Sequence, residues 1–157
     1  LKSQKLLLDI EYEDEEITLG LVRLAKQLPD FEFFYHVNTL NSFQFSRISD
    51  FRFQGSYFDY QFPRFQAFHC DSKVCIQFIA NKSCQSIQKK FSTELFSAES
   101  ETKYLLEQYQ DVNYLIWTSE PFDDFSLILL PEHLTFKTQG FQLSPKEEFY
   151  QLIQYYE

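Results

Sequence analysis

Apolar and polar positions change period several times along this chain. Residues 5–12, KLLLDIEY, alternate from Leu6 through Leu8 and Ile10 to Tyr12, the period-two pattern of a strand with one buried face. The acidic positions 13–16 then read as a solvated turn. ITLGLVRLA, 17–25, is a second strand, and Gly20 in its middle signals a bulge or a close approach of backbone. LPDFEFFYHVNTLN, 28–41, predicts a helix. Pro29 or Asp30 suits its first turn, where N–H groups are spare and the dipole is positive. Phe31, Phe34 and Val37, with Tyr35 as a further candidate, form its apolar face, and Asn38 and Asn41 its polar C-terminal end.

From 42 to 83 the period returns to two. FQFSRISDFRF sets Phe43, Phe45, Ile48, Phe51 and Phe53 in an alternating series with one phase slip, as a bulge produces. In DYQFPRFQAFHC, Phe62, Phe65 and Phe68 interleave with polar residues, and Pro63 argues for an edge or bulged position. DSK then separates this run from VCIQFIANKS, which predicts an antiparallel hairpin. CQSIQKKFSTELF, 84–96, is open between short helix and strand, and SAESETKYLLEQYQ reads as a polar loop entering a helical turn. VNYLIWTS, 112–119, has the composition of a buried strand. Around it Tyr104, Leu105, Leu106, Tyr114, Ile116 and Trp117 read as core, and Asp111 and Asn113 as residues that end the turn or satisfy backbone groups. FSLILL and HLTFKTQGFQL are strand candidates, the first alternatively a short helix. SPKEEFYQLIQYYE opens with Ser144 as N-cap, Pro145 at the first helical position and Glu147 completing a capping box. Phe149, Leu152, Ile153 and Tyr156 follow at helical spacing. The pattern as a whole predicts a single α+β domain, a mostly antiparallel sheet packed against two main helices, 28–41 and 144–157.

Composition narrows the function. At 157 residues and 44% hydrophobic, the chain fits one domain with a real core. Its 19 Phe and 10 Tyr exceed what one small core consumes, so some are expected to line a groove or a partner interface. A net charge of −9 disfavours nucleic acid, since a phosphate backbone is repelled and Arg47, Arg52, Arg64, Lys82, Lys89 and Lys90 are scattered rather than clustered. No apolar run approaches the roughly 20 residues of a membrane helix, and the N-terminal stretch lacks the apolar core of a secretory signal. Three cysteines, an odd count, fit a reducing cytoplasm.

Candidate chemistry is sparse. His69, Cys70, Cys75 and Cys84 read H-C-x4-C-x8-C, whereas structural zinc sites use close cysteine pairs; the thiols read instead as small hydrophobes or as a Cys70–Cys75 disulfide. His36, His69 and His133 could be matched with these thiols on paper, but no G-x-S-x-G elbow exposes a nucleophile. The acidic residues at 9–16 lack the glycine of a calcium loop and read as a solvated edge. No phosphate-cradling glycine loop is present. The pattern therefore assigns no catalytic residue, cofactor or metal.

The order of features resembles a family of short bacterial proteins named for an I-P-E-x-x-x-D-Y signature. KLLLD (5–9) is similar to that family's opening strand. ITLGL (17–21) followed by DFEFFYHVN (30–38) resembles its second strand and helix, and FIANKS (78–83) its hairpin strand. YLLEQYQDVNYLIW, 104–117, stands where the signature belongs. The proline and glutamate of the signature fall there on Glu107 and Gln108, and Asn113 replaces the aspartate before Tyr114, with one extra residue between the halves. The resemblance implies a small cytoplasmic domain and carries over no catalytic residue. The resulting expectation is a protein-interaction or regulatory module whose partner is another protein or a second copy of the chain. The alternative is a small-molecule binder or enzyme with an aromatic-lined pocket whose polar groups are Tyr, Asn and Cys side chains. A contiguous exposed apolar patch would favour the first and a deep pocket with convergent titratable groups the second.

Overall fold

A computed structural model describes residues 16–55, 57–69, 71–88, 102–120 and 125–155. Among these residues seven strands and two helices follow one another as β1 Ile17–Val22, α1 Asp30–Leu40, β2 Ser46–Gln54, β3 Phe58–Phe68, β4 Cys75–Ala80, β5 Gln85–Gln88, β6 Tyr114–Thr118, β7 Gln139–Leu143 and α2 Glu148–Tyr155. One sheet in the order β2-β3-β4-β6-β1-β7 holds them, with β5 paired to the first part of β3 and every pairing antiparallel. The expected α+β architecture is present.

Alternation along the strands divides the core between the two faces of the sheet. On one face Val22, Phe65, Ile76, Phe78, Tyr114 and Ile116 pack against Phe33, Phe34 and Val37 of α1. On the other, Leu19, Leu21, Phe62, Ile79 and Leu115 pack against Phe149, Tyr150 and Ile153 of α2.

Several local expectations hold, that for Gly20 excepted. Gly20 marks neither a bulge nor an approach of another backbone but crowding by side chains: a Cβ there would lie 3.1 Å from Thr138 Cγ2 and 3.2 Å from both Ile116 Cβ and Phe125 Cδ1, while the register of β1 is unbroken. The phase slip in β2 is a bulge between Ile48 and Phe51. Pro63 lies in a strand flanked on both sides, yet it faces that bulge on one side and falls between the β5 and β4 pairings on the other. Its missing N–H therefore breaks no ladder. The β3–β4 hairpin turns through Lys73 at φ 59°.

Other expectations need correction. Helix α1 is shorter than 28–41, and its buried stripe is Phe33, Phe34 and Val37, whereas Phe31 is 78% exposed and Tyr35 also faces solvent. Asp30 explains the rotation: its carboxylate accepts a hydrogen bond from the Tyr114 hydroxyl of β6, so the inward stripe runs 30, 33, 34, 37. Helix α2 likewise starts later than 144, because Ser144 bends the chain locally. Its Oγ accepts from Lys146 N at 3.3 Å and its carbonyl from Glu147 N at 3.0 Å, so it forms a turn ahead of the helix rather than a capping box. Of the FSLILL and HLTFKTQGFQL candidates, Phe125–Leu127 is a 3₁₀ turn and only Gln139–Leu143 is a strand. Pro131 interrupts the rest, its carbonyl accepting from the N–H groups of Leu134 and Thr135. The expected strand at 5–12, Tyr156 and the latter part of 84–96 lie outside the described residues. Gln85–Gln88 of that last segment is strand.

Candidate functional site

The Asp30–Tyr114 contact forms the inner wall of an open cleft of about 710 Å³, at the N-terminal end of α1 and on its face of the sheet. Lys82, Cys84, Tyr104 and Asn113 complete the wall. Tyr114 is buried against the ring of Phe33, stacked at 5.1 Å, and burial beside the Asp30 carboxylate raises its hydroxyl far above the ordinary tyrosine value. The phenol stays protonated and acts as a donor.

Two asparagines anchor the segment that borders the cleft, and of the two only Asn113 lines it. Fully buried Asn81 follows β4. Its Nδ2 donates to the Tyr109 and Val112 carbonyls at 2.8 and 3.1 Å, and its Oδ1 accepts from Leu106 N at 2.9 Å. Asn113 links β1 to β6, its N–H donating to Val22 O and its Oδ1 accepting from Leu24 N, both at 2.8 Å. These bonds hold the 104–113 segment, including the 3₁₀ turn Glu107–Tyr109, against the sheet. Asp111 points outward to Arg23, whose Nε donates to it at 2.6 Å; that guanidinium holds the Asp111 carboxyl below the usual range. Of the expected core residues, Leu106, Tyr114 and Ile116 are buried, while Tyr104, Leu105 and Trp117 are half-buried.

The thiols are poorly placed for nucleophilic work. Cys84 Sγ lies 3.9 Å from Asp50 Oδ2, and burial together with that carboxylate raises its pKa; burial raises that of Cys75 as well. Both are free thiols, and Cys70 lies outside the described residues. His69 sits in the β3–β4 turn with Ser72 Oγ 3.2 Å from its Nδ1. His36 of α1 faces His133 across 6.4 Å between ring centroids. No thiol meets a histidine and no group of three metal-binding side chains converges, among the described residues. Arg47 pairs with Asp50 and Arg64 with Ser49 and Gln77, so the cationic residues stay scattered; Lys89 and Lys90 lie outside the described residues. No helix among the described residues is long and apolar enough to cross a membrane.

No family model, curated protein or solved structure matches the chain.

The same face of the sheet bears a second hollow, of about 580 Å³, over the β1–β7 end. Thr18 and Gly140 form its floor, and Leu129 and Phe136 of the 125–138 connection its wall. Leu129 is 52% and Phe136 60% exposed, and Leu127, Tyr35 and Leu40 also stand in solvent. Asn41 ties the end of α1 to the connection, its Nδ2 donating to Leu129 O and its Oδ1 accepting from Leu129 N. Sequence reasoning foresaw surplus aromatic residues but placed Phe31 and Tyr35 inside. It read Asp30 only as a helix start and Tyr114 only as core. The one available signal was an aspartate three and four residues ahead of two phenylalanines.

Proposed function

We propose that this chain is a cytoplasmic protein-interaction module that docks its partner on the α1 side of the sheet. One observation carries the reading: Tyr35, Leu40, Leu127, Leu129 and Phe136 stand exposed on α1 and the connection bonded to it. Large apolar side chains left in solvent on two bonded elements are a surface that a partner would cover, and Leu129 and Phe136 among them wall one hollow. The cleft supports catalysis less well, because its phenol and its thiol are both held protonated. The free thiols of Cys75 and Cys84 suit a reducing compartment. The likeness to the I-P-E-x-x-x-D-Y proteins belongs to the same proposal, its signature stretch supplying Asn113 and Tyr114.

The test is a variant carrying Tyr35→Ser, Leu129→Ser and Phe136→Ser. Each position is exposed, so each change is expected to alter folding stability by no more than about 0.5 kcal/mol. A partner retained by the wild-type protein from native extract, and lost by the variant, is the expected result. Identical retention by both proteins would sink the reading.

A second reading treats the cleft as a small-molecule site, favoured by a volume inside the roughly 300–1,000 Å³ range of such pockets. A fragment screen read by thermal midpoint tests it, with Tyr104→Ala expected to abolish any genuine shift.

A further inference from the structure

We infer that the cleft beside α1 binds a small zwitterion of the amino-acid and short-peptide class, its ammonium on Asp30 and its carboxylate on Lys82. This rests on the small-molecule reading of the cleft and names the chemistry of its ligand.

Asp30 and Lys82 are the formally charged residues among the described ones that line the cleft. Neither has an ion-pair partner among the described residues. Asp30 uses one carboxylate oxygen, Oδ1, to accept from the Tyr114 hydroxyl, which leaves Oδ2 without a donor there. Cys84, also in the wall, keeps its thiol protonated, and Asp50 beside it is paired with Arg47 at 3.1 Å.

Uncharged donors stand beside these two groups. Lys82 and Tyr104 oppose each other in an antiparallel bridge, so their side chains leave the backbone on the same side. The Tyr104 hydroxyl has no partner among the described residues. Asn113 engages its Oδ1 with Leu24 N, and its Nδ2 is free in the same sense. An ammonium, a phenol and a carboxamide N–H are thus available to a carboxylate, while Asp30 Oδ2 can accept from an ammonium. Leu24 and Leu28 add apolar wall for the ligand's side chains.

The opposite signs of the two charges set the ligand class. A simple anion would satisfy Lys82 but bring a like charge into the cleft with Asp30, and a simple cation would do the reverse with Lys82. A neutral ligand would cover both charges and pair neither, at a desolvation cost. A ligand that carries both charges avoids each of these penalties.

The experiment measures dissociation constants on the full chain by isothermal titration calorimetry. Its probes are leucine and the dipeptide leucyl-leucine, each also as the C-terminal amide and as the N-acetyl form. At least one free probe should bind, and its amide and N-acetyl form should each bind about tenfold more weakly. These blocked probes test both contacts on the wild-type protein alone. Lys82→Gln removes an exposed charge that has no partner among the described residues, and Asp30→Asn keeps an oxygen for Tyr114, so both variants should retain the wild-type far-ultraviolet dichroism. Lys82→Gln should weaken the free probe about tenfold and leave the amide unchanged. Asp30→Asn should weaken the free probe to the same extent and leave the N-acetyl form unchanged. The inference is overturned by no saturable binding of either free probe at millimolar concentration, by blocked forms that bind as tightly as free ones, or by affinity indifferent to either variant. Fragments whose thermal shift needs Tyr104, in a protein that ignores both probes, would leave the small-molecule reading standing without this inference. Absence of both kinds of binding would end the two together.

Discussion

The Asn81 carboxamide donates to two carbonyls and accepts from one N–H, all in the 104–113 segment, and no part of it reaches solvent. Alanine there strands Val112 O and Leu106 N, each at a desolvation cost of about 1–3 kcal/mol if left unpaired, while Tyr109 O keeps the N–H of Val112. Partial relaxation brings the expected total for Asn81→Ala to about 3 kcal/mol, read as a lower urea midpoint with an unchanged slope. Tyr114 makes a different prediction. Its hydroxyl is held protonated in the folded protein, whereas an unfolded tyrosine loses its proton near pH 10. The folded-state pKa is raised, so the stabilisation is fully present below about pH 10 and declines as pH rises above it. The decline approaches about 1.4 kcal/mol per pH unit, because only the unfolded state has released the proton. Tyr114→Phe is expected to cost about 1 kcal/mol at neutral pH and to lack this alkaline decline. Urea midpoints of the two proteins on either side of pH 10 should converge. Neither role was legible in the sequence, since Asn81 and Tyr114 owe everything to partners 25 to 84 residues away.

Helix α1 shows where element-level reasoning succeeds and where it slips. Its existence and approximate span follow from DFEFFYHVNTL, but with apolar residues at 31, 33, 34, 35 and 37 the period alone cannot choose a face. A hydrogen bond makes the choice: half-buried Asp30 accepts from Tyr114, and the stripe three, four and seven residues on becomes the inner one. Two neighbouring phenylalanines should therefore behave oppositely. Phe33→Ala removes a fully buried ring stacked on Tyr114 and is expected to cost about 3–5 kcal/mol. Phe31→Ala, at a solvent-facing site, should stay within about 0.5 kcal/mol of wild type. Equal penalties in chemical denaturation would refute the assigned rotation. The β2 bulge and the β3–β4 hairpin were legible because each is a local event with its own residue signal. The start of α2 was misleading for a reason just as local: Ser144 followed by Pro145 suits a turn as well as a cap, and the turn prevails.

At the scale of the molecule, strand order is what the sequence conceals. The order β4-β6-β1-β7 places side by side strands that are far apart in the chain, and the cleft draws Asp30, Lys82, Tyr104 and Tyr114 from separate segments. Alternation reveals that a strand has a buried face, not which strand lies beside it. The same topology makes one sheet serve two apolar clusters, one under each helix, and this has a measurable consequence. Ile116 belongs to the α1 cluster and Ile153 to the α2 cluster. Ile→Val at each should cost about 0.5–1.5 kcal/mol. Because the sheet separates them and they share no packing partner on one face, the double variant should equal the sum within about 0.5 kcal/mol. Phe34 and Phe65, stacked at 4.0 Å within the α1 cluster, supply the contrast. Phe34→Leu and Phe65→Leu should show a coupling of about 0.5–1.5 kcal/mol, since the first substitution already removes the ring contact that the second would lose. All six proteins should still unfold in a single transition by fluorescence and far-ultraviolet dichroism, because β1, β4 and β6 contribute alternate residues to both clusters and neither can melt alone. Two transitions, or strong coupling between Ile116 and Ile153, would show that the faces are not joined in this way.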